Sequence, residues 1–306
     1  MLRIATRASA LARWQAERVG ALLGVLLDEP VEYVLIQTTG DRDQRPDLHS
    51  IGGTGVFVKE VQQAVLENRA DLAVHSAKDL PSETPAGLHL AAVPERGDPR
   101  DALVGARLEA IPTGGRVATG SVRRRAQLAA ARPDLVFAPL RGNIETRLRK
   151  RAEEGHDAVV VAVAALDRLG LRAEVTEVLN TTVMLPQAAQ GALGVECRAD
   201  DEDAHAALAA IDDRAAHLEV LAERAYLAEL GGGCSLPCGA LARAGNEPGQ
   251  VVLEALLAAT DGHVVLRTRV MGSDPIEVGA AAARDLLDSK GGRALLDAEL
   301  PPEGAR

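Results

Sequence analysis

The chain has 306 residues, 47% of them apolar, and a formal net charge of −10; that is enough apolar material for the cores of two or three domains, while the charge disfavours a nucleic-acid role driven by a whole-molecule field. No apolar run approaches the roughly 20 residues of a bilayer span, and Met1-Leu2-Arg3-Ile4-Ala5-Thr6-Arg7 leads into structured sequence without an apolar signal core, so a cytoplasmic protein is expected. Three cysteines with one close pair argue against a disulfide framework and leave Cys197 as a buried structural thiol.

Leu2 to Thr6 reads as a short strand, and Ser9 to Leu27 as a helix with apolar positions at helical spacing; Trp14 on that helix is by default a core residue. Val31 to Ile36 is a second strand. From 38 to 55 the chain is polar, glycine-rich and aperiodic, a length of loop that is usually functional or mobile. Its Gly52-Gly53-Thr54-Gly55 lacks the Lys-Ser/Thr ending of a phosphate-binding loop. Val56 to Asn68 is read as a helix, with Phe57 placed to pack in the core or to cover a cleft. Asp71 to His75 is a strand running into Ser76-Ala77-Lys78-Asp79-Leu80-Pro81. A charged pair at a strand end lies where α/β proteins place active sites; Asp79 there can hold a positive charge, take a proton, or merely cap a turn. His75 is expected to pack within its strand.

A second alternation follows: strand Arg116 to Ala118, helix Ser121 to Ala131, strand Leu135 to Ala138, helix Ile144 to Glu153 and strand Asp157 to Val163. Such alternation implies βαβ crossovers and largely parallel sheets, with ligands at the strand C-termini. Asp157-Ala158-Val159-Val160 echoes Asp71-Leu72-Ala73-Val74, a hint that two domains are related. Between Arg116 and Arg151 stand ten basic residues, nine of them Arg, against Asp134 and Glu145. This is a local anion field inside an acidic protein, built from the side chain whose fork matches carboxylate or phosphate. Thr119-Gly120-Ser121 puts hydroxyls and backbone N–H groups at a helix start, which suits an anion or simply a Ser N-cap. Arg123 and Arg124 are nearest that helix start and Arg125 is expected to face solvent. Arg141-Gly142-Asn143, with Arg147 one turn later, forms a second such corner.

The last third changes character. After a helical run from Arg214 to Leu230 comes Gly231-Gly232-Gly233-Cys234-Ser235-Leu236-Pro237-Cys238-Gly239, a thiol on a loop too glycine-rich for helix or strand. It allows close approach of the sulfur to an attached group, or equally an inert thiol behind a helix C-cap. Strands Ala240 to Arg243, Val251 to Ala258 and His263 to Val270, the last two joined by Asp261-Gly262, and helices Ile276 to Leu287 and Arg293 to Ala298 complete a small α+β domain. No His, Cys and carboxylate set has zinc spacing, so no metal is expected.

Several strings occur together in an order specific to one family: Arg3-Ile4-Ala5-Thr6-Arg7-Ala8-Ser9, Gly55-Val56-Phe57-Val58-Lys59-Glu60, Leu66-Glu67-Asn68-Arg69-Ala70-Asp71, Val74-His75-Ser76-Ala77-Lys78-Asp79-Leu80-Pro81, Ser121-Val122-Arg123-Arg124, Leu140-Arg141-Gly142-Asn143, Gln190-Gly191-Ala192 and Gly232-Gly233-Cys234. On these the chain resembles the hydroxymethylbilane synthase (porphobilinogen deaminase) family over essentially its full length. The resemblance implies an α/β fold: two periplasmic-binding-protein-like domains with a cleft between them, spanning 1–93 with 192–212 and 94–191. A small C-terminal α+β domain, 213–306, has a three-stranded sheet with helices and bears the cofactor. It implies a transferase of tetrapyrrole and heme biosynthesis, a monomer without nucleic-acid or membrane partners. Porphobilinogen would be the small-molecule substrate, four molecules of it being deaminated and joined head to tail on a dipyrromethane held by Cys234 through a thioether, before hydrolytic release.

By the same resemblance Asp79, Arg7 and Arg147 are the catalytic set. Cys234, Lys78, Asp79, Thr119, Ser121, Arg123 and Arg124 are expected to hold the cofactor, and Arg7, Ser9, Phe57, Arg141, Arg147, Arg168 and Gln190 the substrate. Each ring brings an acetate and a propionate, which accounts for an Arg cluster in an acidic chain. Thr54 and Thr39 stand where the family commonly has Lys and Arg, Gly120 replaces a frequent Ser, and Cys238 is an extra thiol. A non-catalytic two-domain anion-binding protein and an Arg-mediated nucleic-acid binder are the competing readings; with two Phe, two Tyr and one Trp for base stacking, the latter ranks last.

Overall fold

Strand β1 (Leu2–Arg7) ends where Ser9, in extended backbone, accepts the amide N–H of Ala12 on its Oγ and so starts α1 (Ala10–Leu27). Ala12, Ala16, Val19 and Leu23 turn one face of α1 into the core, and Asp28 ends it in the left-handed region. The computed structural model describes residues 1–28, 30–38, 58–231 and 236–299. Thr39, Thr54, Phe57 and Cys234 therefore lie outside the described residues, as does nearly all of the 38–55 segment.

The first sheet has the order β2-β1-β3-β10-β4, with β2 (Val31–Ile36), β3 (Leu72–Ser76), β4 (Leu88–Ala92) and β10 (Leu193–Arg198). The second has the order β7-β6-β8-β5-β9, with β5 (Asp101–Gly105), β6 (Arg116–Ala118), β7 (Val136–Ala138), β8 (Ala158–Ala162) and β9 (Glu177–Val178). In each, three strands run parallel and a fourth, entering from the other lobe, pairs antiparallel to the third. The sheets are thus mixed rather than largely parallel, because β10 and β5 cross between lobes instead of returning through a helix.

The repeated Asp is a matched structural device. Asp71 accepts the Arg3 amide on Oδ2 at 2.8 Å and returns its own amide to the Arg3 carbonyl at 2.9 Å. Asp157 does the same with Arg116, at 2.7 and 2.9 Å. The four-residue echo therefore marks equivalent strands, β3 and β8, pinned to equivalent partners, β1 and β6.

Helices α2 (Lys59–Leu66), α3 (Val122–Ala131), α4 (Ile144–Glu153), α5 (Val163–Arg168) and α6 (Glu202–Ala209) flank these sheets. Asn143 caps α4 through Thr146 at 2.9 Å, and Glu145 in its first turn with Lys150 and Arg151 in its last complement the helix dipole. The third unit packs α7 (Arg214–Glu229) and α8 (Pro275–Arg284) on the antiparallel sheet of β11 (Cys238–Ala244), β12 (Val251–Ala258) and β13 (Val265–Gly272). Tyr226, fully buried, donates its hydroxyl to the Leu256 carbonyl at 2.8 Å. Beyond α8 the chain widens into a π turn, Asp285–Ser289, where continuous helix to Leu287 was expected, and closes with α9 (Gly292–Glu299).

Gly262, in the turn before β13, has φ +79, and a Cβ there would lie 2.5 Å from the Ala126 carbonyl oxygen. The hairpin turn can press on the α3 backbone only because it has no side chain, and Ala126, Leu185, Leu241, Leu256 and Ala258 close a small core beside it.

Candidate active site

The two segments joining the lobes run side by side: Gly97 N–H donates to the Gly191 carbonyl at 3.1 Å, and Arg96 Nε to the Gln190 carbonyl at 3.0 Å. Gly191 has φ +87 and no space for a Cβ, which would come 2.4 Å from the Gly97 carbonyl oxygen. Glu223 of α7 locks this junction. It is fully buried, receives Arg96 Nη1 at 2.8 Å and Nη2 at 3.0 Å, and accepts the amides of Ala242, at 2.7 Å, and Ala189. One carboxylate thereby ties both inter-lobe segments to β11 of the third unit.

In front of the junction the two lobes meet at Lys78 and Asp79, in the short turn Ala77–Asp79 that follows β3. The turn is held by the Ala192 carbonyl, which accepts the Ala77 amide at 3.1 Å, and by Gln187 Nε2, which donates to the Lys78 carbonyl at 3.2 Å. Lys78 Nζ reaches Gln190 Oε1 at 3.5 Å, and Gln190 Nε2 donates to Asp101 Oδ1 at 2.9 Å. Burial pushes the Lys78 ammonium down to about 8, with Asp79 and Asp101 opposing and Arg124 and Arg147 adding to the shift. Arg147 is likewise lowered to about 10, by burial first and then by the charge of Arg124, against the pull of Asp79. Lys78, Asp79, Arg124 and Arg147 are therefore electrostatic neighbours although they come from opposite lobes.

Arg123 and Arg124, read from the sequence as a ligand-facing pair, are instead committed to an internal carboxylate. Arg123 Nη2 meets Asp101 Oδ2 at 2.8 Å and Arg124 Nη2 meets Oδ1 at 2.7 Å, with all three side chains at most 7% exposed. Each also donates to backbone, Arg123 Nη1 to the Leu185 carbonyl at 2.6 Å and Arg124 Nη1 to the Val160 carbonyl at 2.9 Å. Successive helical side chains diverge at the Cα, but long Arg stems converge on Asp101 at the start of β5. Burial alone would raise the Asp101 carboxyl; the two guanidiniums outweigh it and hold it well below the usual carboxylate range. Arg125 is exposed.

The hydroxyls serve their helices. Ser9 caps α1, Ser121 caps α3 through the Arg124 amide at 3.4 Å, and Thr119 Oγ1 accepts the Ser121 amide at 3.2 Å. Both capped helix starts follow the C-terminal ends of parallel strands; Arg7 is the last residue of β1, and Arg141 follows β7. Arg147 Nε donates to the Gly142 carbonyl at 2.8 Å, which folds it back over its own helix start. Arg168 stands apart from this cluster, against the Gly191 carbonyl at 2.5 Å and beneath Trp14. Trp14 is half-buried at the lobe boundary rather than in a core. His75 packs in its strand, its Nε2 3.2 Å from the buried Glu196, and Cys197 is fully buried. Among the described residues no three His, Cys, Asp or Glu side chains gather as metal ligands, and no helix is long and apolar enough to cross a membrane.

Asp101 and Glu223 were not recognised in the sequence. An Asp at a strand start and a Glu within a helix look like ordinary surface residues until the partners arrive from 22 to 127 positions away.

Residues 2–206 match the family model described as "Porphobilinogen deaminase, dipyromethane cofactor binding domain", and residues 217–288 match "Porphobilinogen deaminase, C-terminal domain". The chain is 48% identical over 298 residues to the porphobilinogen deaminase of Roseiflexus sp. (strain RS-1), covering 96% of this chain and 97% of that one. It is 44% identical over 303 residues to that of Syntrophus aciditrophicus (strain SB), covering 97% and 98%. Among solved structures, a periplasmic substrate-binding protein from Coxiella burnetii aligns with a TM-score of 0.42 at 13% identity, over 73% of this chain and 97% of its own. With both family models matched in order and close relatives aligned from end to end, the chain belongs to the porphobilinogen deaminase family of transferases.

Proposed function

We propose that the hydroxymethylbilane synthase reaction of this family takes place where Lys78 and Asp79 of the first lobe face Arg124 and Arg147 of the second. In that reaction four porphobilinogens are deaminated and joined head to tail, and the linear tetrapyrrole is released by hydrolysis. The observation that carries the assignment is a pair of half-buried cations beside a carboxylate: within the described residues, Lys78 and Arg147 donate hydrogen bonds to neutral oxygens of Gln190 and Gly142. Cations lowered by burial and left without a bonded counter-ion suit a ligand whose every ring carries two carboxylates.

A dipyrromethane on Cys234 would supply, when bound, the pyrrole carbon to which the first ring is joined, and each later ring would join the one before it. Lys78 binds its carboxylates, with Thr119 and Ser121 presenting the α3 start. Arg123 and Arg124 act from behind, through the Asp101 pair and the charge of Arg124. Arg7, Ser9, Arg141, Arg147, Arg168 and Gln190, with Phe57, receive porphobilinogen. Loss of ammonia from the substrate aminomethyl carbon leaves a cationic methylene-pyrrolenine. Asp79 stabilises that charge near the pyrrole N–H groups and holds the proton in transit, while Arg7 and Arg147 orient the leaving amine and the incoming ring.

The chain acts as a cytoplasmic monomer of three domains, 1–93 with 192–212, 94–191, and 213–306. Intact mass spectrometry tests the core of this reading. The purified protein should carry a covalent pyrrole adduct that is lost in Cys234→Ser; an active, adduct-free protein would overturn it. Reversible carboxylate binding with no turnover of porphobilinogen would favour a non-catalytic binding protein instead.

A further inference from the structure

Between α1 and α5, beside the inter-lobe segments, lies a cavity of about 310 Å³ lined by Trp14, Arg18 and Leu22 on one side and Ala164, Asp167 and Arg168 on the other. Its two walls belong to different lobes. Trp14 is the only tryptophan of the chain. The Arg168 guanidinium carbon lies 5.6 Å from the centre of its ring, within the range of a cation–π contact.

The guanidinium is confined from the other direction as well. Arg168 Nη2 donates to the Gly191 carbonyl at 2.5 Å, and a Cβ built on Gly97 would come 3.5 Å from the same nitrogen. One flexible side chain is therefore wedged between an aromatic face from the first lobe and bare backbone from the two connecting segments. Burial lowers Arg168 to about 10, so it keeps its charge at neutral pH. Asp167, the neighbouring carboxylate, is engaged by Arg172 at 3.1 Å. Without the ring, one hydrogen bond to Gly191 and a long stem remain to set the guanidinium direction, and an unpinned Arg samples many rotamers.

We propose that Trp14 is a positioning residue for the substrate: presented by one lobe, its ring holds the Arg168 guanidinium of the other in the orientation that meets substrate carboxylates. This rests on the reading of Arg168 as a carboxylate ligand, and predicts that the π-face, rather than the bulk of Trp14, is what binding requires.

The test uses the full-length, primer-bearing enzyme and compares Trp14→Leu, Trp14→Phe, Arg168→Leu and the Trp14→Leu/Arg168→Leu pair. Trp14→Leu should raise KM for porphobilinogen about three- to tenfold with kcat within about twofold, whereas Trp14→Phe, which keeps a ring face, should stay within about twofold in both. The double variant should be no worse in KM than Arg168→Leu alone, since the second change then has nothing left to misplace. In Arg168→Leu the emission of the single tryptophan should shift, reporting the contact directly. An unchanged KM in Trp14→Leu beside a raised KM in Arg168→Leu would overturn the positioning role and leave Arg168 a ligand. An unchanged KM in Arg168→Leu would remove the ligand reading and the proposal with it. Equal losses in the Leu and Phe variants, with matching falls in melting temperature, would reduce Trp14 to packing.

Discussion

Asp101→Asn removes one charge from the lobe interface while keeping nearly the same shape. The carboxylate is fully buried and holds Arg123 at 2.8 Å, Arg124 at 2.7 Å and Gln190 at 2.9 Å. The amide leaves two guanidiniums, 3% and 7% exposed, without a counter-ion, and turns an NH2 group toward one of them. Removing one member of a buried ion pair costs about 3–5 kcal/mol, which at about 2–4 °C per kcal/mol lowers the melting midpoint by roughly 6–20 °C. Thermal unfolding followed by circular dichroism at pH 7 measures this. The pH dependence is a second check. A carboxyl held below its unfolded value contributes stability that is full above about pH 4 and is lost as pH falls through the folded value. The gap between variant and parent should accordingly be constant from pH 5 to pH 8 and shrink on acidification below about pH 4. A midpoint within about 2 °C of the parent, or a gap that widens in acid, would refute the assignment of Asp101 as the charge that pays for burying two arginines.

Asp79→Asn should retain the covalent adduct by mass spectrometry yet lose nearly all turnover, at least about a hundredfold in kcat, and near-parental rates would take Asp79 out of the mechanism. Glu223→Gln should destabilise the chain by about 1–3 kcal/mol in urea titration, because Arg96 is left with Glu219 alone as counter-ion, at 3.2 Å, and an amide NH2 must face the N–H of Ala189 or Ala242; an unchanged midpoint would show the junction is held otherwise. Burial pushes the Cys197 thiol up to about 11, so at pH 8 about one molecule in a thousand carries the thiolate, and iodoacetamide should modify Cys197 only after unfolding. Peptide mapping that finds stoichiometric alkylation of the native chain at Cys197 would contradict that environment.

What could be read from the sequence was whatever depends on near neighbours. The strands Val31–Ile36, Arg116–Ala118 and Val251–Ala258 and the helix Ile144–Glu153 fall where their patterns placed them. The paired Asp71 and Asp157 hinted at the internal duplication, because each accepts an equivalent backbone N–H, of Arg3 and of Arg116, at the same point of the motif. β4, β5 and β10 were not anticipated. β10 carries Glu196 and Cys197 in a run buried almost throughout, so it shows neither alternation nor a clean apolar stretch, and its antiparallel setting depends on β3, where Leu193 pairs with Ser76 and Cys197 with Leu72. Lys78 and Asp79 were recognisable at a strand end. That Arg123 and Arg124 would turn inward was not, since the carboxylate they answer to lies 22 and 23 residues upstream on a strand with no distinguishing pattern.

The position of β10 has a consequence for how the protein is made. It lies between β3 and β4 in the first sheet, yet is encoded after the whole of the second. A ribosome releasing this chain exposes every strand of the second sheet before the slot in the first can be filled, so the inserted lobe is free to finish folding ahead of the lobe that hosts it. The Lys78–Asp79 turn is translated early but waits for Ala192 to receive its amide. A nascent chain stopped short of that point therefore carries the letters of the Lys78–Asp79 turn without the fold that places them, and the proposed site can form only once the host lobe has closed around its guest.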